Sequence, residues 1–167
     1  SLSDKLNTIV TAGAKYLTDK GYHAYARTTD QKMTDSDNCI PLSHQTIATR
    51  AGLGWIGKNN RLVTPQYGSA VRLSSLLTDA PLTCDTPVTH SQCGACHACV
   101  RSCPAHALKN TLWRPGIPCE NIIAISTCHK KCREIMQKST GIDADLCGKC
   151  FAVCTYTRQY LKQCRDV

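Results

Sequence analysis

Leu6, Ile9, Val10, Gly13 and Leu17 recur at helical spacing through residues 3–20, with polar residues between them. The pattern predicts an amphipathic helix over 3–20, capped by Ser3 and stopped at Gly21. "YHAYA" (22–26) reads as a short strand, and the polar run "RTTDQKMTDSDN" (27–38) as a loop. "LSHQTIATRAGLG" begins with Ser43 as a helix cap and closes on Gly52, so a short helix is expected there. "RLVT" (61–64) and "SAVRLSSLL" (69–77), joined through "PQYG", predict a β-hairpin. Residues 79–90, rich in Pro and Thr, read as a linker, and 119–135 has helical character.

Composition alters this picture in one respect. Thirteen of the 167 residues are cysteine, and eleven of those lie at or beyond Cys93. That shift places a boundary near residue 88 and predicts two parts, 1–88 and 89–167. The odd count rules out complete pairing into disulfides. The N-terminus has no long apolar run behind a basic start, and the longest aliphatic run is Ile122 to Ile125. The expectation is a soluble, cytoplasmic protein without a membrane span, in which reduced thiols serve metal. Its start at Ser1 rather than Met leaves room for a longer natural N-terminus.

The formal charge is +8, with Lys and Arg spread over both parts. A basic surface suits nucleic acid or an acidic partner. It also compensates thiolates: eight thiolates and two cubes of core charge about +2 would bring the balance to about +4.

The cysteines form two runs. "CGACHACVRSCP" carries Cys93, Cys96, Cys99 and Cys103 at gaps of two, two and three residues, then Pro104. This is the bacterial ferredoxin spacing. Three thiolates wrap one [4Fe–4S] cube and the fourth points to another. "CGKCFAVC" supplies the reciprocal run Cys147, Cys150 and Cys154. Cys154 should therefore return to the first cube, giving it Cys93, Cys96, Cys99 and Cys154. The second cube has Cys103, Cys147 and Cys150, with one vacancy open to Cys119, Cys128 or Cys132. Cys128 is the preferred choice, because one helix can aim only some of these inward. "CGACH" also fits covalent haem attachment, C-x-x-C pairs fit zinc, and a single pair fits a redox dithiol. The longer 2-2-3 run favours iron–sulfur. Cys39, Cys84 and Cys164 have no partner spacing and read as incidental thiols.

"AGLGWIGKNN" (51–60) fits G-x-G-x-x-G and nearly fits a phosphate-binding loop. Both motifs need a strand before and a helix after, and this stretch has the reverse order. It reads as a helix end followed by a tight turn whose glycines take positive φ. Gly54, Trp55, Gly57, Lys58 and Asn59 on that turn are candidates to line a cofactor pocket.

The "LSHQTIATRAGLGWIGKNNRLVTPQYGSAVRLSSLLTDAPL" block, with "CGACHACVRSCPAHAL" and "CGKCFAVC", resembles the epoxyqueuosine reductases and their shorter relatives. More distantly it resembles corrinoid-dependent reductive dehalogenases. The resemblance covers about residues 40–160. It implies an α+β fold: a small, nitroreductase-like α/β portion, then a ferredoxin-like module with two [4Fe–4S] clusters. It also implies single electrons relayed to a corrinoid (cobalamin), which reduces the epoxide of a modified tRNA base. Cys93, Cys96 and Cys99 match the first-cluster ligands, Cys103 the crossover ligand, and Cys147, Cys150 and Cys154 the second motif. Gly54, Trp55, Gly57, Lys58 and Asn59 match the glycine-rich turn. Three departures stand out. Asp37 is near, but out of register with, the family's acidic proton donor. Thr155 replaces the proline after the last ligand. Most of the N-terminal α/β portion is missing. No catalytic residue is assigned. The expected function is an iron–sulfur oxidoreductase with redox donor and acceptor proteins, and tRNA, as partners. The alternative is a ferredoxin-type electron carrier that serves a separate enzyme.

Overall fold

The computed structural model describes residues 1–29 and 42–165. Asp37, Cys39 and most of the expected polar loop lie outside these residues. Among the described residues the fold is mixed, with helices and two small sheets, each of two antiparallel strands. The chain forms two units: Ser1–Gly52 with Arg72–Pro87, and Leu53–Val71 with Val88–Val167.

In the first unit, helix α1 spans Leu2–Asp19 and is capped by Ser1, in place of the expected Ser3. Ser1 Oγ accepts from the Asp4 amide, and the Asp4 carboxylate takes the Ser1 N–H in return. Val10 and Ala14 form its buried face. Ile9, expected on that face, is 68% exposed. At 3.6 residues per turn it lies about 90° from the centre of the arc set by Leu6, Val10, Ala14 and Leu17. Gly21, at φ +89°, ends the helix. The Tyr22 amide bonds to Leu17 O and the Gly21 amide to Thr18 O, at 3.1 and 2.9 Å.

Strand β1 is Ala24–Arg27 and helix α2 is His44–Arg50, capped by Ser43 through the Thr46 amide at 3.0 Å. Strands β2 (Trp55–Ile56), β3 (Leu62–Val63) and β4 (Ser75–Thr78) follow. The expected hairpin between 61–64 and 69–77 does not form. β3 pairs instead with β2, Trp55 opposite Val63, and β4 pairs with β1, Ala24 opposite Thr78. The nearer partner wins. The Gly57 amide bonds to Arg61 O at 2.8 Å and Asn60 adopts φ 56°, so residues 57–61 close a tight turn that occupies β3. "PQYG" keeps only an isolated bridge between Thr64 and Gly68.

In the second unit this hairpin packs among short helices: α3 (Ala98–Arg101), a 3₁₀ turn (Cys119–Asn121), α4 (Ile125–Thr140), α5 (Lys149–Ala152) and α6 (Thr155–Gln163). The glycine-rich stretch thus packs with the cysteine-rich part, although the boundary near 88 had grouped it with the N-terminal part. The helix expected over 119–135 is broken at Ile122–Ala124. There the Lys109 amide bonds to Ile122 O and the Ala124 amide to Ala107 O, both at 2.9 Å. Those bonds to residues 107–109 displace helical ones and bury Ile122 and Ile123. Trp55, Leu62, Val63, Ile122 and Thr157 are the most deeply buried large side chains. Among the described residues, no helix is long and apolar enough to cross a membrane.

Candidate metal centres

The two cysteine runs build similar local structures. Each ends in a short helix, α3 after Cys96 and α5 after Cys147, and these two helices pack together. A helix of one turn can aim a thiol from its first half one way and a thiol beyond its end another way. Cys99 and Cys150 lie within α3 and α5, while Cys103 and Cys154 lie just past them.

Two cavities result. Cys93, Cys96, Cys99 and Cys154 line the first, together with Lys58, Asn59, Gln92, Thr155, Tyr156 and Gln159, around about 260 Å³. The second is tighter, at about 40 Å³, and is lined by Cys103, Cys128, Cys132, Cys147 and Cys150 against Pro104, Ala105, Leu108, Ile123 and Lys131. The run Cys93–Cys103 is therefore divided three to one between cavities, and Cys147–Cys154 two to one. Cys119 lines neither. Its Sγ accepts from the Asn60 side-chain amide at 3.2 Å. Among the described residues, no three His, Cys, Asp or Glu side chains converge closely enough to hold a single metal ion. The thiols ring volumes instead of meeting at a point. A soft, all-thiol donor set around each volume fits an iron–sulfur cube.

The glycine-rich turn serves the first cavity with a division of labour. Lys58 and Asn59 line it. Lys58 is only 5% exposed and donates from Nζ to Gly94 O at 2.9 Å, which ties the turn to the Cys93–Cys96 loop. Trp55 donates from Nε1 to Cys93 Sγ at 3.4 Å. Its ring meets Tyr156 edge-on, with centroids 5.1 Å apart. Gly54 and Gly57 do not line the cavity. They permit close approach, since a Cβ on Gly54 would sit 2.1 Å from Val63 O and one on Gly57 2.7 Å from Val63 Cγ2. Positive φ, expected throughout this stretch, holds at Gly52 but not at Gly54 or Gly57.

Cys154 is placed by α6, of which it is the N-cap. α6 is locked to the segment after β3. The Ser69 amide donates to Thr157 Oγ1 at 2.9 Å, and Asn59 Nδ2 donates to Ser69 Oγ at 3.1 Å. Gly68 lies so close that a Cβ there would be 2.2 Å from the Thr157 nitrogen. Thr155, which replaces the expected proline, brings Oγ1 to 3.5 Å from Cys96 Sγ. Thr155, Tyr156, Gln92 and Gln159 were not candidates from sequence. No spacing rule marks them, because α6 and residue 92 carry no motif of their own.

The thiols are electrostatically unequal. The Ala98 backbone N–H and the Thr155 hydroxyl hold Cys96 below the usual thiol range, helped by Lys58 and Arg101. Burial pushes Cys99 up to about 11, aided by neighbouring Cys93 and Cys150. Burial also raises Cys150, with Arg61 opposing. Cys132 is raised by burial and by Cys128 beside it. Cys99 lines the first cavity and Cys150 the second.

No protein-family model matches the chain. It is 34% identical over 129 residues to a Synechococcus sp. (strain CC9605) protein named epoxyqueuosine reductase, aligning 77% of this chain with 40% of that one. The chain therefore spans about two-fifths of that relative's length. A selenomethionine-labelled epoxyqueuosine reductase shares its fold with TM-score 0.64 and 25% identity, over 94% of this chain and 39% of that one. An epoxyqueuosine reductase crystallised with an epoxyqueuosine-modified tRNA stem loop gives TM-score 0.63 and 24% identity, over 95% and 39%. A reductive dehalogenase whose structure suggests a mechanism for B12-dependent dehalogenation gives TM-score 0.58 and 20% identity, over 90% and 21%. Over the part it spans, the chain is related in sequence to the epoxyqueuosine reductases and shares a fold with them and with reductive dehalogenases.

Proposed function

We propose that the chain is the iron–sulfur portion of an oxidoreductase of the epoxyqueuosine reductase type. It holds one [4Fe–4S] cube on Cys93, Cys96, Cys99 and Cys154 and another on Cys103, Cys147, Cys150 and Cys128. The module is ferredoxin-like in this exchange of ligands between two runs. The observation that carries the reading is the sorting of the two cysteine runs into two thiol-lined cavities, each mixing residues from both runs. Such cubes, when bound, accept and release single electrons.

The chain's own residues define a direction. Apart from its thiols and Lys131, the second cavity is walled by apolar side chains, whereas the first carries several polar groups: Lys58, Asn59, Gln92 and Gln159. Cys96 is the exposed thiol of the first set. Trp55 and Thr155 place hydrogen-bond donors on its sulfurs. Electrons leave from this side, where Cys96 is exposed.

The resemblance makes that acceptor a corrinoid and the final substrate a modified base of tRNA, for which the net charge of +8 is suitable. The four thiols give the cavity of about 260 Å³ to a cube, so a corrinoid would need a site built from residues other than these. This favours a second reading, in which the chain carries electrons to a separate catalytic partner. One experiment addresses both. Anaerobically reconstituted chain should hold about eight iron atoms and show spectra of two interacting cubes. Zinc in place of iron would remove the proposal. Added cobalamin that changes the cluster signal supports the corrinoid reading, and no change leaves the electron carrier.

A further inference from the structure

A cube takes four protein ligands, yet five thiols line the second cavity: Cys103, Cys128, Cys132, Cys147 and Cys150. Cys103, Cys147 and Cys150 come from the two runs. Cys128 and Cys132 both come from α4, four residues apart and so on one face of it. Their sulfurs lie 4.0 Å from each other. Cys132 is the deeper of the two, only 8% exposed. A structural thiol would pack into the apolar wall as a small hydrophobe. Cys132 instead lines the same space as the other four.

We propose that Cys128 and Cys132 are interchangeable fourth ligands of the second cube. This rests on the reading that a cube occupies that cavity. α4 presents both thiols from one rigid face, so exchange needs a side-chain rotation and no movement of backbone. The incoming thiol passes its proton to the outgoing thiolate beside it, so charge and proton count are unchanged. The idle member keeps an S–H as a weak donor toward the ligating sulfur. The arrangement gives the second cube a reserve ligand, which the first cavity lacks, since among the described residues four thiols line it.

The test uses the full chain, reconstituted anaerobically with iron and sulfide, with iron content and paramagnetic resonance as readouts. Wild type, Cys128→Ala and Cys132→Ala should each hold about eight iron atoms, and the double variant about four, with the first cube's signal kept. The second-cube signal should differ between the two single variants. Cys132→Val accompanies Cys132→Ala, because emptying a buried position can disturb folding. The first cube's signal reports on folding in every variant. If either single site loses the second cube, the ligand is fixed and the proposal is overturned. A double variant that keeps both cubes overturns it too, because some other ligand is then in use. Wild type at about four iron atoms or fewer removes the two-cube reading as well, and only that outcome does so.

Discussion

Single contacts set the character of the first centre. Trp55 donates to Cys93 Sγ, and an N–H aimed at a ligand sulfur favours the more negative, reduced state. Trp55→Phe keeps the ring against Tyr156 but removes the donor. A differential of ~0.5–1.5 kcal/mol between redox states is about 20–60 mV at 59 mV per tenfold. The first cube's potential should therefore fall by that amount in a titration followed by paramagnetic resonance, with the second unmoved. An unchanged potential would strip the contact of its role. Glycines at this scale divide by mechanism. Gly54→Ala drives a Cβ to 2.1 Å from Val63 O and should cost about 1–3 kcal/mol, as overpacking does. Gly21→Ala meets nothing within 4 Å and carries only the left-handed backbone penalty of about 1–2 kcal/mol. Denaturation midpoints check both, and only the first should also slow reconstitution of the first cube.

At the level of elements, α6 matters because its N-cap is a ligand candidate. Thr157 is 2% exposed and anchors α6 through the Ser69 amide. Thr157→Val leaves that buried N–H without a partner, at a cost of about 1–3 kcal/mol. Iron should then leave the first cube faster when a chelator is added, while Thr157→Ser restores the wild-type rate. Equal loss rates in the Val and Ser variants would show that the bond does not position Cys154. Elements differed in how far sequence revealed them. The spacing of Val10 and Leu17 and the cap at Ser43 marked α1 and α2, because helices are made by near neighbours. The pairing of β3 was not visible. Leu62–Val63 could serve two partners, and the choice was made by the Gly57–Arg61 turn. The break before α4 was hidden for a similar reason: Ile122 and Ile123 look helical in sequence, but bond to residues 107–109, which no local pattern announces.

Across the molecule, the cysteine spacing alone divided seven of the thiols as the two cavities divide them, because short loops restrict where neighbouring side chains can point. It could not choose among Cys119, Cys128 and Cys132, since that depends on where α4 starts and which face it presents. Burying so many thiols couples folding to their ionisation. In the metal-free chain Cys99 keeps its proton to about 11, and Cys150 is also raised. In the unfolded chain these thiols ionise near 8.5–9. Between those values the folded state binds more protons than the unfolded one, so stability falls as pH rises. Cys96, held below the ordinary range, works in the opposite sense, but only below the unfolded range and so outside this window. The denaturation midpoint of metal-free protein should therefore drop between pH about 9 and about 11. In Cys99→Ala the drop should be smaller. The reconstituted protein should escape it, because thiolates already bound to metal have no proton to lose. A metal-free midpoint that stays level through the window, or falls equally in Cys99→Ala, would mean that these thiols are hydrated in the folded chain, and burial could not then be what keeps them protonated until metal arrives.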